Sequence, residues 1–142
     1  MKKLFLDDFR NPKDAFTLVI PHLKIFWEDG WDIVRSYDEF VNWIEANGLP
    51  DFISFDHDLA DEHYEDYRND QNRSRMGYQS GPIYDQFKEK TGLDCAKWLV
   101  DWCVDHGCAL PNYAVHSANP AGRRNIEQYL VSASKHLFSD DN

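Results

Sequence analysis

Three short apolar runs in this chain each end in residues able to do chemistry. Leu4-Phe5-Leu6 leads into Asp7-Asp8, Phe52-Ile53-Ser54-Phe55 into Asp56-His57-Asp58, and Tyr113-Ala114-Val115 into His116-Ser117-Ala118-Asn119-Pro120. Parallel strands of open α/β folds share one carboxyl edge, and ligands bind there. The spacing therefore predicts a single pocket that gathers carboxylates, two histidines, and hydroxyl or amide groups. Asp7, Asp8 and Asp56 form its acidic part. Two carboxylates about 4 Å apart repel by about 4 kcal/mol at an effective dielectric of 20, and three such pairs by on the order of 10 kcal/mol. A fold relieves this by taking up protons or by holding a cation. Hard oxygen ligands favour Mg²⁺, Mn²⁺ or Ca²⁺. The expectation is a divalent metal, Mg²⁺ or Mn²⁺, on Asp7, Asp8 and Asp56; a histidine ligand would move the preference toward Mn²⁺, Zn²⁺ or Fe²⁺. The alternative is that some of these acids are helix caps or loop acids facing water.

His57 lies between two aspartates, which can fix its tautomer and raise its pKa. That suits it to protonate a leaving alkoxide or to activate water. His57, Asp58 and His116 form the candidate catalytic set, with a buried structural histidine as the alternative for His116. The segment from His116 to Arg123 reads as a strand running into a helix start, where free amides and the helix dipole attract anions. Ser117, Asn119 and Arg123 are candidate phosphate-binding residues on that side and Arg10 on the other; for Arg123 the alternative is a surface salt bridge.

The elements that must position these residues follow from patterning. Strands are expected at Lys3–Asp7, Trp31–Val34, Phe52–Asp56 and Tyr113–His116. Ser36-Tyr37-Asp38-Glu39 is a capping box, with Ser36 as N-cap and Glu39 reaching back, and Tyr37, Phe40, Val41 and Ile44 share one face of the helix it opens. Thr91-Gly92-Leu93-Asp94 resembles a second box. Its helix carries Lys97, Asp101 and Asp105 as a wet stripe, packs Trp98, Leu99, Trp102 and Cys103 inward, and stops at Gly107. Asn119 caps a last helix with Pro120 in its first turn and Ile126, Tyr129, Leu130 and Ala133 on its apolar face. Lys13–Gly30 has no clear period. Residues 59–90 are a long polar insertion expected to act as a lid. Strands alternating with helices predict one α/β domain over 1–142: a three-layer sandwich around a mainly parallel sheet of about four strands in the order 2-1-3-4. That order sets Asp7, Asp8 and Asp56 side by side.

Bulk composition narrows the function. The 142 residues suit one domain, 42% of them are hydrophobic, and the formal net charge is −10. Such a surface repels polyphosphate chains, so extended nucleic-acid binding is not expected, whereas a short RNA end or a small phosphate ester is compatible with it. No apolar run approaches the roughly 18–20 residues of a membrane span, and the start reads as a strand, not as a signal peptide. Cys95, Cys103 and Cys108 lack metal or disulfide spacing and read as free thiols. The expectation is a soluble cytoplasmic protein without a membrane partner.

At these residues the chain resembles a known family. Asp7-Asp8 with Arg10 and Pro12, Val34-Arg35-Ser36, Ser54-Phe55-Asp56-His57-Asp58-Leu59, Gly92 with Asp94 and Trp98-Leu99, and His116-Ser117-Ala118-Asn119-Pro120 with Gly122-Arg123 are similar to the cyclic-phosphate-processing receiver-like domains. The likeness spans nearly the whole chain and implies a variant of the flavodoxin-like response-regulator receiver fold. It implies that Asp7, Asp8 and Asp56 form the acidic metal pocket of receivers, with Asp56 where a receiver accepts phosphate. The added His57-Asp58 and His116 suggest hydrolysis in place of storage of a phosphoryl group. The implied activity is a metal-dependent phosphodiesterase acting on a small cyclic phosphate, in a nucleotide or at an RNA end. The chain departs from regular receivers in its insertion and in lacking a fifth strand that ends in lysine. Two rivals follow: a non-catalytic pseudo-receiver binding a nucleotide or a protein, and a phosphorylated switch with Asp56 as acceptor.

Overall fold

The structure, a computed structural model, describes residues 1–16, 23–59 and 90–137. All but the two end residues of the expected lid lie outside these residues. Four strands form one parallel sheet: β1 (Lys3–Leu6), β2 (Trp31–Val34), β3 (Phe52–Phe55) and β4 (Asn112–Val115), in the order β2-β1-β3-β4. This is the expected receiver-like order. Among the described residues no fifth strand follows, and β4 is the sheet's edge.

The helices are α1 (Pro12–Ala15), α2 (Tyr37–Asn47), α3 (Gly92–His106) and α4 (Pro120–Leu137), with a 3-10 turn at Lys24–Trp27. Their ends follow local chemistry. At α3 the Thr91 amide donates to Asp94 Oδ2 at 2.9 Å while the Asp94 amide donates to Thr91 Oγ1, completing the box. Gly107 ends α3 in the left-handed region at φ 64°, where a side chain would be strained. At α2 the Glu39 amide donates to Ser36 Oγ, as expected, but the Glu39 carboxylate accepts from the Arg35 amide instead of Ser36. The box is thus stretched by one residue.

The two sheet faces are unequally covered. Leu4, Leu6, Ile53, Phe55 and Val115 pack with Phe40 and Ile44 of α2, Cys95, Leu99 and Cys103 of α3, and Ile126 and Leu130 of α4 in one large core. The other face carries a small cluster of Phe5, Ala15 and Phe26, with Trp31 stacked on Phe26 at 5.7 Å between ring centroids. Alternation along each strand makes this division, since successive side chains point to opposite faces. Within the segment without a clear period, α1 and the 3-10 turn supply Ala15 and Phe26 to this thin cover. No helix among the described residues is long and apolar enough to cross a membrane.

Candidate metal and phosphate site

Strand register brings the chemistry together. Leu6 pairs with Phe55 and Phe55 with Val115. The ladder runs one residue further, with the Asp56 amide donating to Leu6 O and the His116 amide to Phe55 O, both at 2.9 Å. Asp7, Asp56 and His116 are therefore the next residues on three adjacent strands and stand at one level of the carboxyl edge. One ligand atom from each lies within 4.8 Å of the others, and all three residues are buried.

Asp7 is the most strongly held. Its Oδ1 accepts from the Phe9 and Arg10 amides at 2.9 and 2.8 Å, and its Oδ2 lies 2.9 Å from His116 Nε2. Burial alone would raise its pKa; the His116 and backbone hydrogen bonds outweigh burial and hold it at about 2. His116 is wholly buried, stacked on Phe5 with centroids 4.5 Å apart, and its Nδ1 is 2.6 Å from Ser54 Oγ. A neutral ring satisfies both contacts, with Nε2–H donating to Asp7 and Nδ1 accepting from the Ser54 hydroxyl. Burial moves its pKa down, against the pull of Asp7, and the satisfied neutral ring agrees with that direction.

Asp56 and Asp8 behave in the opposite way. Burial and then the charge of Asp7 push Asp56 up to about 8 and Asp8 up to about 6. Asp56 Oδ1 accepts from the His57 amide, but Asp56 Oδ2 and Asp8 Oδ1 are buried without a hydrogen-bond partner. The Arg10 guanidinium is 3.5 Å from Asp7 Oδ2 and 3.9 Å from Asp56 Oδ2, the longer contact lying beyond hydrogen-bond reach. Two buried, unsatisfied carboxylate oxygens are what a divalent cation would complete, so the residues fit such an ion.

A second network adjoins the first. His57 Nδ1 is 2.9 Å from Asp58 Oδ1, Asn119 Nδ2 donates to Asp58 at 3.2 Å, and Asn119 Oδ1 caps the Gly122 amide at 3.1 Å. The chain needs glycine twice here. A Cβ on Gly92 would sit 1.7 Å from the Asp56 carbonyl oxygen, and one on Gly122 would sit 2.4 Å from the His57 ring. Their absence lets α3 and α4 abut the end of β3.

The sequence-predicted residues thus divide. Asp7, Asp56, His116 and Arg10 converge, with Asp8 beside them. His57, Asp58 and Asn119 form the adjoining clamp. Ser117 Oγ accepts from the Asn119 amide within its own loop. Arg123 lies in the first turn of α4 with Nε 3.6 Å from Glu127, the surface salt-bridge arrangement.

Two contributors were missed. Ser54 interrupts an apolar strand, and a hydroxyl in a buried strand needs a partner; that signal pointed to a buried polar neighbour. Arg35 donates to the carbonyls of Asp7 and Arg10 and to Asn11 Oδ1, tying β2 to the loop that carries Asp7 and Arg10. Arg35→Ala is expected to cost about 1–3 kcal/mol of stability and to weaken metal binding, read as a smaller shift in melting temperature on adding Mn²⁺. An unchanged metal response would remove Arg35 from the site.

Comparison with known families settles the class. The family model for the cyclic-phosphate processing receiver domain matches residues 2–132. The chain belongs to this family. No curated protein and no solved structure matches it. The match extends from β1 through most of α4, so the four described strands of this receiver domain and both networks lie within it. A groove of about 600 Å³ opens between the far ends of α3 and α4, lined in part by Cys103, Cys108, Tyr129 and His136. It is remote from the carboxyl edge and shares no residue with the titratable cluster.

Proposed function

We propose that this receiver domain is a hydrolase that opens a cyclic phosphodiester with the help of a divalent metal ion, Mg²⁺ or Mn²⁺. The observation that carries the reading is the pair of buried, unsatisfied oxygens, Asp56 Oδ2 and Asp8 Oδ1, beside an ionised Asp7. In the proposal Asp7, Asp8 and Asp56 hold the ion. A bound divalent ion supplies positive charge and Lewis acidity toward a phosphoryl oxygen.

The protein's own groups do the rest. Arg10 approaches Asp7 and Asp56 from one side and offers a guanidinium to the remaining phosphoryl oxygens. His116 keeps Asp7 oriented and ionised by donating Nε2–H, while Ser54 holds the ring's other nitrogen. His57 is wholly buried, and through Asp58 and Asn119 it fixes the start of α4, where Ser117 also sits. This packing favours His57 and His116 as positioning residues over direct proton donors. Without a cation, three acids around one arginine would repel a phosphate.

The test is incubation of purified protein with 2′,3′-cyclic mononucleotides and Mn²⁺ or Mg²⁺, followed by chromatography for the ring-opened monoester. Product that disappears with chelator and in Asp56→Asn is expected. A folded sample that releases none with either ion would refute the enzyme reading and leave the binding-only rival.

A further inference from the structure

The loop between β1 and α1 is held by a dense set of hydrogen bonds. Asp7 Oδ1 accepts from the amides of Phe9 and Arg10, Arg35 holds the carbonyls of Asp7 and Arg10, and Asn11 begins a capping box with Asp14. Yet this fixed loop holds Phe9 out in solvent, 61% exposed. Large exposed apolar side chains among the described residues include Met1, Trp27, Ile33, Val104 and Val131, but of this set Phe9 alone lies in the loop that carries the metal-site carboxylates. An isolated exposed aromatic is ordinary. One whose backbone is pinned by a site carboxylate, next to the site's arginine, is placed.

The placement has a direction. The Arg10 guanidinium carbon lies 4.5 Å from the centroid of the Phe9 ring, and the same guanidinium faces Asp7 and Asp56. One group therefore touches the acidic cluster and the aromatic ring. With a cation over one side and so much of the ring exposed, a flat face remains for a second planar group. A phosphate resting on Arg10 would bring whatever is attached to it beside Phe9. In a nucleoside 2′,3′-cyclic phosphate, a single ribose separates the phosphate from the base.

We propose that Phe9 is a stacking platform for the nucleobase of the substrate, so that the site takes a nucleoside 2′,3′-cyclic phosphate in preference to a base-free cyclic phosphate. The inference rests on the cyclic-phosphate reading and adds the substrate class to it. Every base has a π-face, so the platform confers little preference among bases and leaves the phosphate chemistry to the strand-end carboxylates. The Arg10 guanidinium, held against the ring's other side, stiffens the platform.

The experiment compares wild type with Phe9→Ala and Phe9→Trp on three substrates: 2′,3′-cyclic AMP, a short oligoribonucleotide ending in a 2′,3′-cyclic phosphate, and glycerol 1,2-cyclic phosphate, which has no base. The exposed position predicts unchanged melting temperatures. Phe9→Ala is expected to lower kcat/KM about tenfold on cyclic AMP, chiefly through KM, and to leave the glycerol ester unchanged; Phe9→Trp retains the wild-type value. An equal loss on the oligoribonucleotide identifies RNA ends as a source of the ligand, and a loss on the mononucleotide alone identifies free nucleotides. Equal effects on the glycerol ester and cyclic AMP, or no effect on either, would overturn the platform. If wild type turns over nothing, equilibrium dialysis with cyclic AMP decides separately. Binding weakened by Phe9→Ala upholds the platform while the hydrolase reading falls; absent or Phe9-independent binding removes both.

Discussion

Asp56→Asn is expected to make the metal-free protein more stable at pH 8, by about 2–4 kcal/mol, while abolishing turnover and the stabilising response to Mn²⁺. The gain follows from the direction of the Asp56 shift. Its carboxyl is raised from 3.8 to about 8 by burial and then by the charge of Asp7, so folding takes up a proton between those values. For such a group, stability falls as pH rises from about 4 to 8. Asp8 acts in the same sense up to about 6. Asp7 acts in the opposite sense: held at about 2, it contributes stability above pH 4 that is lost as pH falls toward 2. One pKa unit is worth about 1.4 kcal/mol. A side chain only 1% exposed keeps much of that, although Arg10 offsets part of the repulsion. Asparagine keeps the shape and the acceptor for the His57 amide and removes the charge.

The metal offsets much of that difference. At pH 8 the wild type with Mn²⁺ at about 100 times its Kd should gain about 2.7 kcal/mol, the mass-action value for a ligand that binds only the folded state. The variant lacks a central ligand and should gain little. Urea denaturation at pH 5 and pH 8, with and without Mn²⁺, gives all four comparisons. A variant less stable than wild type at pH 8 without metal would mean that Asp56 is not strained by its neighbours, and one equally stabilised by Mn²⁺ would mean that it is not a ligand.

The sequence made the edge of the sheet legible because register is a local consequence of patterning. Each of the three strands is four residues long and is followed at once by a polar group, so aligning the strands aligns their ends. The Thr91–Asp94 box was equally legible, since its bonds span three residues. What escaped the sequence depends on distant packing. His116 reads as a catalytic candidate with a buried structural histidine as the alternative; the residues that enclose it, Phe5, Phe26 and Ser54, come from three different segments. Arg35 reads as the residue before a helix cap, yet its guanidinium crosses to the β1 loop. Arg123 reads as a phosphate candidate with a surface salt bridge as the alternative, and only the packed helix shows Glu127 one turn on, 3.6 Å from its Nε. Phe9 gave no periodic signal, because a loop has no period to violate.

The second large effect is expected at Gly122, which no composition argument singles out. Gly122→Ala should cost about 3 kcal/mol, although alanine is the better helix former by about 1 kcal/mol. The added carbon would lie 2.4, 2.7 and 2.8 Å from three atoms of His57, a side chain with no exposed surface. The ring has little room to yield. Its Nδ1 is bound to Asp58, its amide donates to Asp56 Oδ1, and its carbonyl accepts from the Gly92 amide at 2.7 Å. Relief must therefore come from α4 moving off β3, which would also pull Asn119 from Asp58. Removing the ring isolates the cause. In a His57→Ala background, which removes the ring and leaves only the Cβ at 2.8 Å, the same Gly122→Ala change should cost markedly less. Guanidinium denaturation of the four proteins measures this coupling. Additive costs would show that His57 and Gly122 do not meet, and with that the clamp holding the start of α4 against the carboxyl edge would be lost. Coupled costs would place the metal-site aspartate, His57 and the last helix in one mechanical unit, so that a single methyl group far from the phosphate should also lower turnover.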